Sequence, residues 1–416
     1  MIIGAGAAGL VAALFAAEGP VPVVVLEGTA DGGRKILISG GGRCNILPAA
    51  IQPERFVTDS PPAILRGVLR SWPLVGMQRF FEHDLSLPLA FEADTGKWFP
   101  ASQKARDVRD ALVRTARTRG VDLRWSTRVT SLDRVGSQWR IGTTTGTLDA
   151  SRVIVATGGL SVAATGSDGL GLSLARQLGL PCHPTYAALT PLTCDDERLP
   201  GPWKAATLAG VSLPVRVRAR WNTLRADAAG GFLFTHRGYS GPAVLDVSHV
   251  CVRSLEQGTG DALARLQVSF TDRSEDDWHG RLQSGDQLAA TVLGRALPDR
   301  LVTALMHTAG VPVDRRVSSL RRDERIALVR ALTQHALPWT GHEGYRKAEV
   351  TGGGVALDAV HGGSLEVRTQ PGLHLCGEVL DAFGPIGGHN FAWAWATGRL
   401  AGLGAAKAAA ADGLLY

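Results

Sequence analysis

The chain has no C-x-x-C pair, and its five cysteines, Cys44, Cys182, Cys194, Cys251 and Cys376, are widely spaced. An odd number at such spacing argues against a disulfide framework, a zinc site and a thioredoxin-like redox pair, so no metal is expected. That usage fits a reducing compartment, and the sequence predicts a cytoplasmic protein. A long clean apolar run is also missing. Met1 to Ala17 is uncharged but lacks a basic leader, and Phe391 to Ala411 is interrupted by Arg399 and Lys407. Neither reads as a secretory signal or a membrane span. Charge of one sign is scarce too. The 44 basic and 38 acidic side chains leave +6, which permits an anionic partner without demanding one. The expected partner is a small-molecule substrate rather than a membrane or a nucleic acid, and nothing in the sequence sets the oligomeric state.

Glycine, by contrast, is abundant, with 51 residues, many in short clusters. Clusters of that kind mark tight backbone approaches rather than a flexible linker. The length of 416 residues predicts two or three domains. The chain opens as strand, turn and helix: Met1-Ile2-Ile3, then a helix over Ala7 to Ala17, then a second buried strand over Val21 to Leu26. The apolar residues before Gly4 are fewer than a buried strand usually has, which leaves room for chain upstream of Met1. A helix is predicted over Gln103 to Arg119, short strands over Leu123 to Val129 and Gln138 to Ile141, and a buried strand over Val153 to Ala156. That strand ends in Thr157-Gly158-Gly159, and a helix follows over Asp168 to Leu178. From about Pro184 the texture changes. Leu213 to Trp221 alternates apolar residues with Arg216, Arg218 and Arg220, the pattern of a half-exposed strand. Phe232 to Phe234 and Leu266 to Phe270 read as further strands, and Asp286 to Ala309 and Arg322 to Ala336 as helices. The α/β texture returns at Ala348. These changes predict a nucleotide-binding domain in two segments, 1–184 and 344–416. Between them lies an inserted substrate or cap domain, 185–343, with a β part at about 185–275 and a helical part at about 280–343.

Gly4-Ala5-Gly6-Ala7-Ala8-Gly9 matches G-x-G-x-x-G. The match gains weight because it follows a strand, opens a helix and is answered by Glu27 at the end of the second strand. Gly4 makes the tight turn, Gly6 lets the backbone approach a pyrophosphate, and Gly9 lets the helix pack on the strand. The first helical N–H groups, from Ala7 and Ala8 onward, then face the phosphates, and Glu27 accepts the adenosine ribose hydroxyls. Late in the chain, Leu373 to Glu378 reads as a strand ending in Gly377-Glu378. Gly387-Gly388-His389-Asn390-Phe391 then opens an apolar helix. A late strand ending in Gly-Glu, followed by such a helix, is the pattern of a two-segment FAD domain. The helix N-terminus would stabilise negative charge on a reduced flavin. No second G-x-G-x-x-G follows a strand and opens a helix, so NAD(P)H as a further cofactor has no dedicated motif.

Four segments resemble a known family. They are Gly33-Arg34-Lys35-Ile36-Leu37-Ile38-Ser39-Gly40-Gly41-Gly42-Arg43-Cys44-Asn45, then Gly96 to Pro100, then Phe232 to Pro242, and the stretch from Gly352 to Asn390. The chain is similar to the HI0933-like, or BaiN-like, NAD(P)/FAD-dependent oxidoreductases, whose members include uncharacterised bacterial flavoproteins. The resemblance implies an α/β fold: a two-segment Rossmann-like FAD-binding domain with an inserted β-barrel-like and small helical domain. It implies non-covalent FAD. By position, Arg34 and Lys35 would lie beside the phosphates and ribose, Ser39 to Asn45 would cradle the flavin, and Val129 would meet the adenine through its backbone. Thr157 and Gly158 would line the same cofactor. His389 stands where a Tyr is common, so the substrate of relatives does not transfer directly.

Read on its own residues, Ser39 to Arg43 can expose consecutive N–H groups as an anion nest with a guanidinium beside it. The candidates for chemistry at the flavin are His389, Cys44, His236 and Tyr239, with Glu378 as a tuning residue. Cys44 is either a reactive thiol favoured by Arg43 or a packing residue. The sequence thus predicts an FAD-dependent oxidoreductase that transfers a hydride to or from an unnamed organic substrate. The alternatives are an RNA-associated flavoprotein, suggested by the arginine strand, and a flavin-binding scaffold or sensor without turnover.

Overall fold

The computed structural model describes residues 1–258 and 263–413. Residues 259–262, in the expected β part of the insert, and 414–416, at the end of the expected second segment, lie outside it. The described chain divides into two compact units, Met1–Thr185 with Val350–Tyr416, and Tyr186–Glu349. No helix among the described residues is long and apolar enough to cross a membrane.

The first unit is built on a five-stranded sheet. Its strands lie in the order Leu373–Leu375, Val153–Val155, Ile2–Ile3, Val24–Leu26, Asp122–Arg124, and every neighbouring pair is parallel. Ile2–Ile3 is short but central, with Ile2 opposite both Val25 and Ile154. Parallel strands covered on both faces must be apolar throughout, as the three central strands are, whereas the edge strand Asp122–Arg124 exposes both its charged residues. The second strand starts only at Val24, because Pro20 and Pro22 have no N–H to give a ladder. Two small antiparallel sheets belong to the same unit. One is formed by Leu47–Pro48, Lys97–Pro100 and Leu89–Glu92, the other by Val129–Val135, Gln138–Thr143 and Gly146–Ala150.

Two helices fix the site end of this unit. Ala7–Ala16 is almost wholly buried. Against it lies the long helix His389–Gly413. Small residues permit the contact. A Cβ on Gly398 would stand 2.4 Å from the Ala8 carbonyl oxygen, and one on Gly402 would stand 2.4 Å from that of Ala12. Any side chain at either position would drive the helices apart.

The second unit holds a seven-stranded sheet. Its order is His335–Ala336, Arg265–Ser269, Ser212–Trp221, Leu224–Phe234, Gly238–Ser240, Leu192–Thr193, Gly341–His342. Every pair is antiparallel. The two end strands do not pair with each other among the described residues, so the barrel-like form expected for the insert is a sheet left open at that seam. Inside the expected β part sits a helix, Pro242–Gln257, that the sequence reading did not resolve. Its buried Ala243, Val244, Val247, Val250 and Cys251 follow helical spacing, although its many valines favour a strand locally. The predicted helix over Asp286 to Ala309 is two helices, Ala289–Gly294 and Asp299–Thr308. Pro298 accounts for the break, since it biases Leu297 away from helical geometry and caps a new helix instead.

Candidate functional site

The opening glycines are required by close approach. Gly4 has φ +102°, and a Cβ there would lie 2.6 Å from the Ala156 carbonyl oxygen. A Cβ on Gly9 would stand 2.0 Å from the Gly4 oxygen. Gly6 is different, because nothing lies within 4 Å of its Cβ position. The backbone is bare where a ligand would come closest. Helix Ala7–Ala16 starts at Gly6 with no side-chain cap and no acidic residue in its first turn, so its free N–H groups and positive end face that opening. Gly158, with φ +75°, follows Thr157, whose Oγ1 accepts from Gly171 N at 3.1 Å.

Glu27 is held beside this turn. Its Oε2 accepts from Ala5 N at 2.8 Å, and its Oε1 accepts from Thr29 N at 2.8 Å and Thr29 Oγ1 at 2.7 Å. The carboxylate is oriented before any ligand arrives, and Oε2, with one bond made, keeps a lone pair for a further donor. Val129 is a buried strand residue at a bulge in its ladder.

Three consecutive glycines, Gly40, Gly41 and Gly42, have φ of +55°, +67° and +84°. Only glycine adopts such a run at low cost. Open space surrounds the Cβ position of Gly41. Ser39 anchors the loop by donating from Oγ to the Ile36 carbonyl at 2.7 Å. Arg43 turns elsewhere. Its Nη1 donates to Glu92 Oε1 at 2.6 Å, and its guanidinium stands 4.2 Å above the Phe99 ring. Arg34 likewise pairs with Asp31 Oδ1 at 2.8 Å, and with Arg109 it holds the Asp31 carboxyl below the ordinary range.

The Gly387–Asn390 corner closes on this loop. A Cβ on Gly388 would lie 3.1 Å from the Asn45 carbonyl oxygen, and one on Gly387 would lie 3.2 Å from Lys97 Cε. Asn390 pins the corner by bonding Gly384 twice, accepting from its N–H at 2.8 Å and donating to its carbonyl at 2.9 Å. Phe391 stacks on Trp395 with centroids 5.2 Å apart. His389 is buried. Neither ring nitrogen makes a full hydrogen bond among the described residues, although the Ile386 and Ala50 backbones are near. Burial, then the charges of Arg55 and Lys97, push its pKa down to about 4. The ring is therefore neutral at ordinary pH.

Glu378 joins three distant stretches. Its Oε2 accepts from Lys35 Nζ at 2.6 Å, and its Oε1 accepts from Ser161 Oγ at 2.8 Å and Thr351 N at 2.9 Å. Lys35 Nζ also donates to Ser161 Oγ. Ser161, Thr351, Glu92 and Lys97 were not foreseen as site residues. Lys97 alone carried a signal, since it lies in the Gly96 to Pro100 segment.

The four candidates for chemistry separate. Cys44 and His389 both belong to the first unit. Cys44 is fully buried, and burial pushes its thiol up to about 12, so the neighbouring arginine does not yield a thiolate. Tyr239 and His236 belong to the second unit. Tyr239 packs between Phe232 and Phe234, with its hydroxyl pushed well above the usual range by burial, and His236 is exposed in a turn. All five cysteines are free thiols.

The bare Gly6 backbone, the uncapped helix start, the anchored Glu27 and the left-handed glycine loop together fit an adenine dinucleotide. The family model described as HI0933-like protein Rossmann domain matches residues 1–404. The chain belongs to the HI0933-like family. It is a flavin-dependent oxidoreductase of that family. It is 32% identical over 399 residues to the ribosomal RNA dihydrouridine synthase of Escherichia coli, covering 95% of each chain. It is 31% identical over 414 residues to the 3-dehydro-bile acid delta(4,6)-reductase of Clostridium scindens, covering 98% of each. Among solved structures, the 3-ketosteroid delta1-dehydrogenase of Sterolibacterium denitrificans shares the fold, with a TM-score of 0.51, 12% identity and 99% of each chain covered.

Proposed function

We propose that this flavoprotein binds FAD and reduces a carbon–carbon double bond conjugated to a carbonyl. The observation that carries the reading is the meeting of the opening glycine turn, the Gly40–Gly42 loop and the Gly387–Asn390 corner in one unit. The helix start at Gly6 would hold the pyrophosphate, Glu27 the adenosine ribose, and Val129 the adenine through its backbone. The Ser39–Asn45 loop and the Gly387–Asn390 corner would hold the ring system. When bound and reduced, FAD would supply the two-electron chemistry, a hydride for the β-carbon, with the second hydrogen taken up as a proton from solvent.

The chain's own residues fit an acceptor that gains negative charge. Adding a hydride to an alkene conjugated to a carbonyl builds charge on the carbonyl oxygen. Arg55 and Lys97 act on His389 as nearby positive charges, and the neutral His389 ring keeps one N–H to donate. A donor held in a buried position, as His389 is, stabilises such charge without reorganising. The names of the two relatives support the same reaction class. A dihydrouridine synthase adds two hydrogens to uridine, whose ring double bond is conjugated to a carbonyl. A delta(4,6)-reductase of a 3-oxo compound does the equivalent in a steroid skeleton.

Two substrate classes satisfy this chemistry, a small enone and a uracil ring in RNA. The RNA reading is favoured by two relatives, from Escherichia coli and Haemophilus influenzae, that are each 32% identical and named as acting on ribosomal RNA. NAD(P)H as reductant is left to experiment. The test is anaerobic. Holoprotein is first challenged with NADH or NADPH, then reduced chemically and mixed with a steroid dienone or with deproteinised ribosomal RNA. Flavin reoxidation with a product heavier by two hydrogens supports the reading. Reoxidation no faster than in buffer, with both substrates, contradicts it.

A further inference from the structure

The sheet of the second unit presents a face on which arginine side chains stand directly opposite one another. Ser212–Trp221 buries Leu213, Val215, Val217 and Ala219 and turns Arg216, Arg218 and Arg220 outward. Its neighbours on either side are Leu224–Phe234 and Arg265–Ser269. The register then fixes three rows across that outer face. Arg220 is flanked by Arg225 and Arg265, Arg218 by Asp227 and Gln267, and Arg216 by Ala229 and Ser269. All five arginines are exposed.

Among the described residues of the three rows, one carboxylate sits between them. Asp227 bonds both Arg216, at 2.8 Å, and Arg218, at 3.0 Å. Arg220, Arg225 and Arg265 make no ion pair among the described residues. Directly opposed side chains in an antiparallel pair stand only about 5 Å apart, and like charges so placed destabilise the sheet. A strand that needed only a solvated face would alternate signs, as Arg218 and Asp227 do. Here one end of the face carries three unbalanced guanidiniums in a row, and the one apolar side chain in the three rows, Ala229, is too small to form a protein partner's core.

We propose that this arginine face is a docking surface for the phosphate backbone of RNA, an assignment that rests on the RNA reading of the substrate. Guanidinium groups bind phosphate bidentately and stay charged at every working pH. A flat array of them fits a phosphate chain, and it carries no base-reading pocket. Its role is to hold the nucleic acid without reading its sequence.

The test compares the parent holoprotein with the Arg220→Gln/Arg225→Gln/Arg265→Gln variant, which keeps a polar side chain at each position and relieves repulsion. Binding of deproteinised ribosomal RNA is measured as a function of salt. Loss of three phosphate contacts should flatten the slope of log affinity against log salt by about 2 to 3 and weaken binding by at least about 10-fold at low salt. Bound flavin and reoxidation by a steroid dienone should be unchanged. Equal affinity and slope for the two proteins overturn the proposal. Tighter arginine-dependent binding to anionic lipid vesicles than to RNA overturns it as well. Failure of every reoxidation assay with arginine-dependent RNA binding intact would instead sink the reaction reading and leave this surface standing.

Discussion

Gly377 rests on the first turn of the opening helix: a Cβ placed on it would stand 2.9 Å from the Ala8 Cβ. The late strand stops at Leu375, short of the expected Gly377-Glu378 end; Gly377 opens a short 3-10 turn after it and has φ +78°, while Ala8 follows the first glycine turn. This contact, with Gly398 over the Ala8 carbonyl, joins the two ends of the chain into one site.

Replacing Gly377 with Ala should therefore damage both fold and site. The left-handed backbone and the steric overlap together cost on the order of 1 to 3 kcal/mol. A lower thermal midpoint and loss of flavin on purification are expected. An unchanged midpoint with full flavin content would contradict the contact.

Glu27 is held by Ala5 N and by Thr29 N and Oγ1, and it is placed to accept ribose hydroxyls. A Glu27→Gln variant loses charge-assisted acceptance, worth about 1.5 to 3 kcal/mol. FAD affinity should fall about 10- to 100-fold. Turnover at saturating FAD should change by less than about 2-fold. Fluorescence titration separates the two effects, and an unaltered Kd would remove Glu27 from the cofactor site.

His389 makes stability acid-sensitive. Its pKa in the fold is about 4, against an ordinary value of 6.5. Above pH 6.5 both folded and unfolded forms are neutral, and its contribution is fully present. As pH falls from 6.5 toward 4 the unfolded chain takes up the proton first, so stability is lost across that window. The loss between pH 7 and pH 5 should be about 2 kcal/mol from this residue. His335, also pushed down to about 4 by burial, adds a loss in the same direction. Urea titrations at both pH values should show that His389→Gln removes about half of the combined drop. A variant with the parent's pH dependence would place the ring elsewhere.

Cys44 should be chemically quiet. Its thiol is buried and pushed up to about 12, so little thiolate exists at pH 8. Native protein should resist iodoacetamide at this position, and Cys44→Ser should keep turnover within about 3-fold. Rapid native alkylation of Cys44, or a 100-fold loss of turnover, would give it a chemical role.

What the sequence disclosed follows from how local each signal is. Gly4, Gly33, Gly40, Gly41, Gly42, Gly387 and Gly388 all have positive φ, a property of a residue and its immediate neighbours, so clustered glycines mark such turns before any fold is known. Glu27 was legible because one short strand fixes its distance from the turn. The bond from Lys35 to Glu378 spans 343 positions, and that from Ser161 spans 217. Such pairings are set by sheet order, which no local pattern encodes. Arg43 was misleading for a related reason: a guanidinium next to a glycine loop has enough reach to choose Glu92 on another strand. Helix Pro242–Gln257 was hidden by valines whose local preference is outweighed by packing on the sheet.

The most direct test of the shared cradle is titration of flavin-free protein with FAD and with FMN. The account predicts one FAD bound per chain, with FMN at least about 100-fold weaker. FMN lacks the adenylate that we propose Gly6, Glu27 and Val129 hold, and the missing contacts would be worth about 3 kcal/mol or more. Equal affinity for the two flavins, or no uptake of either, would contradict it.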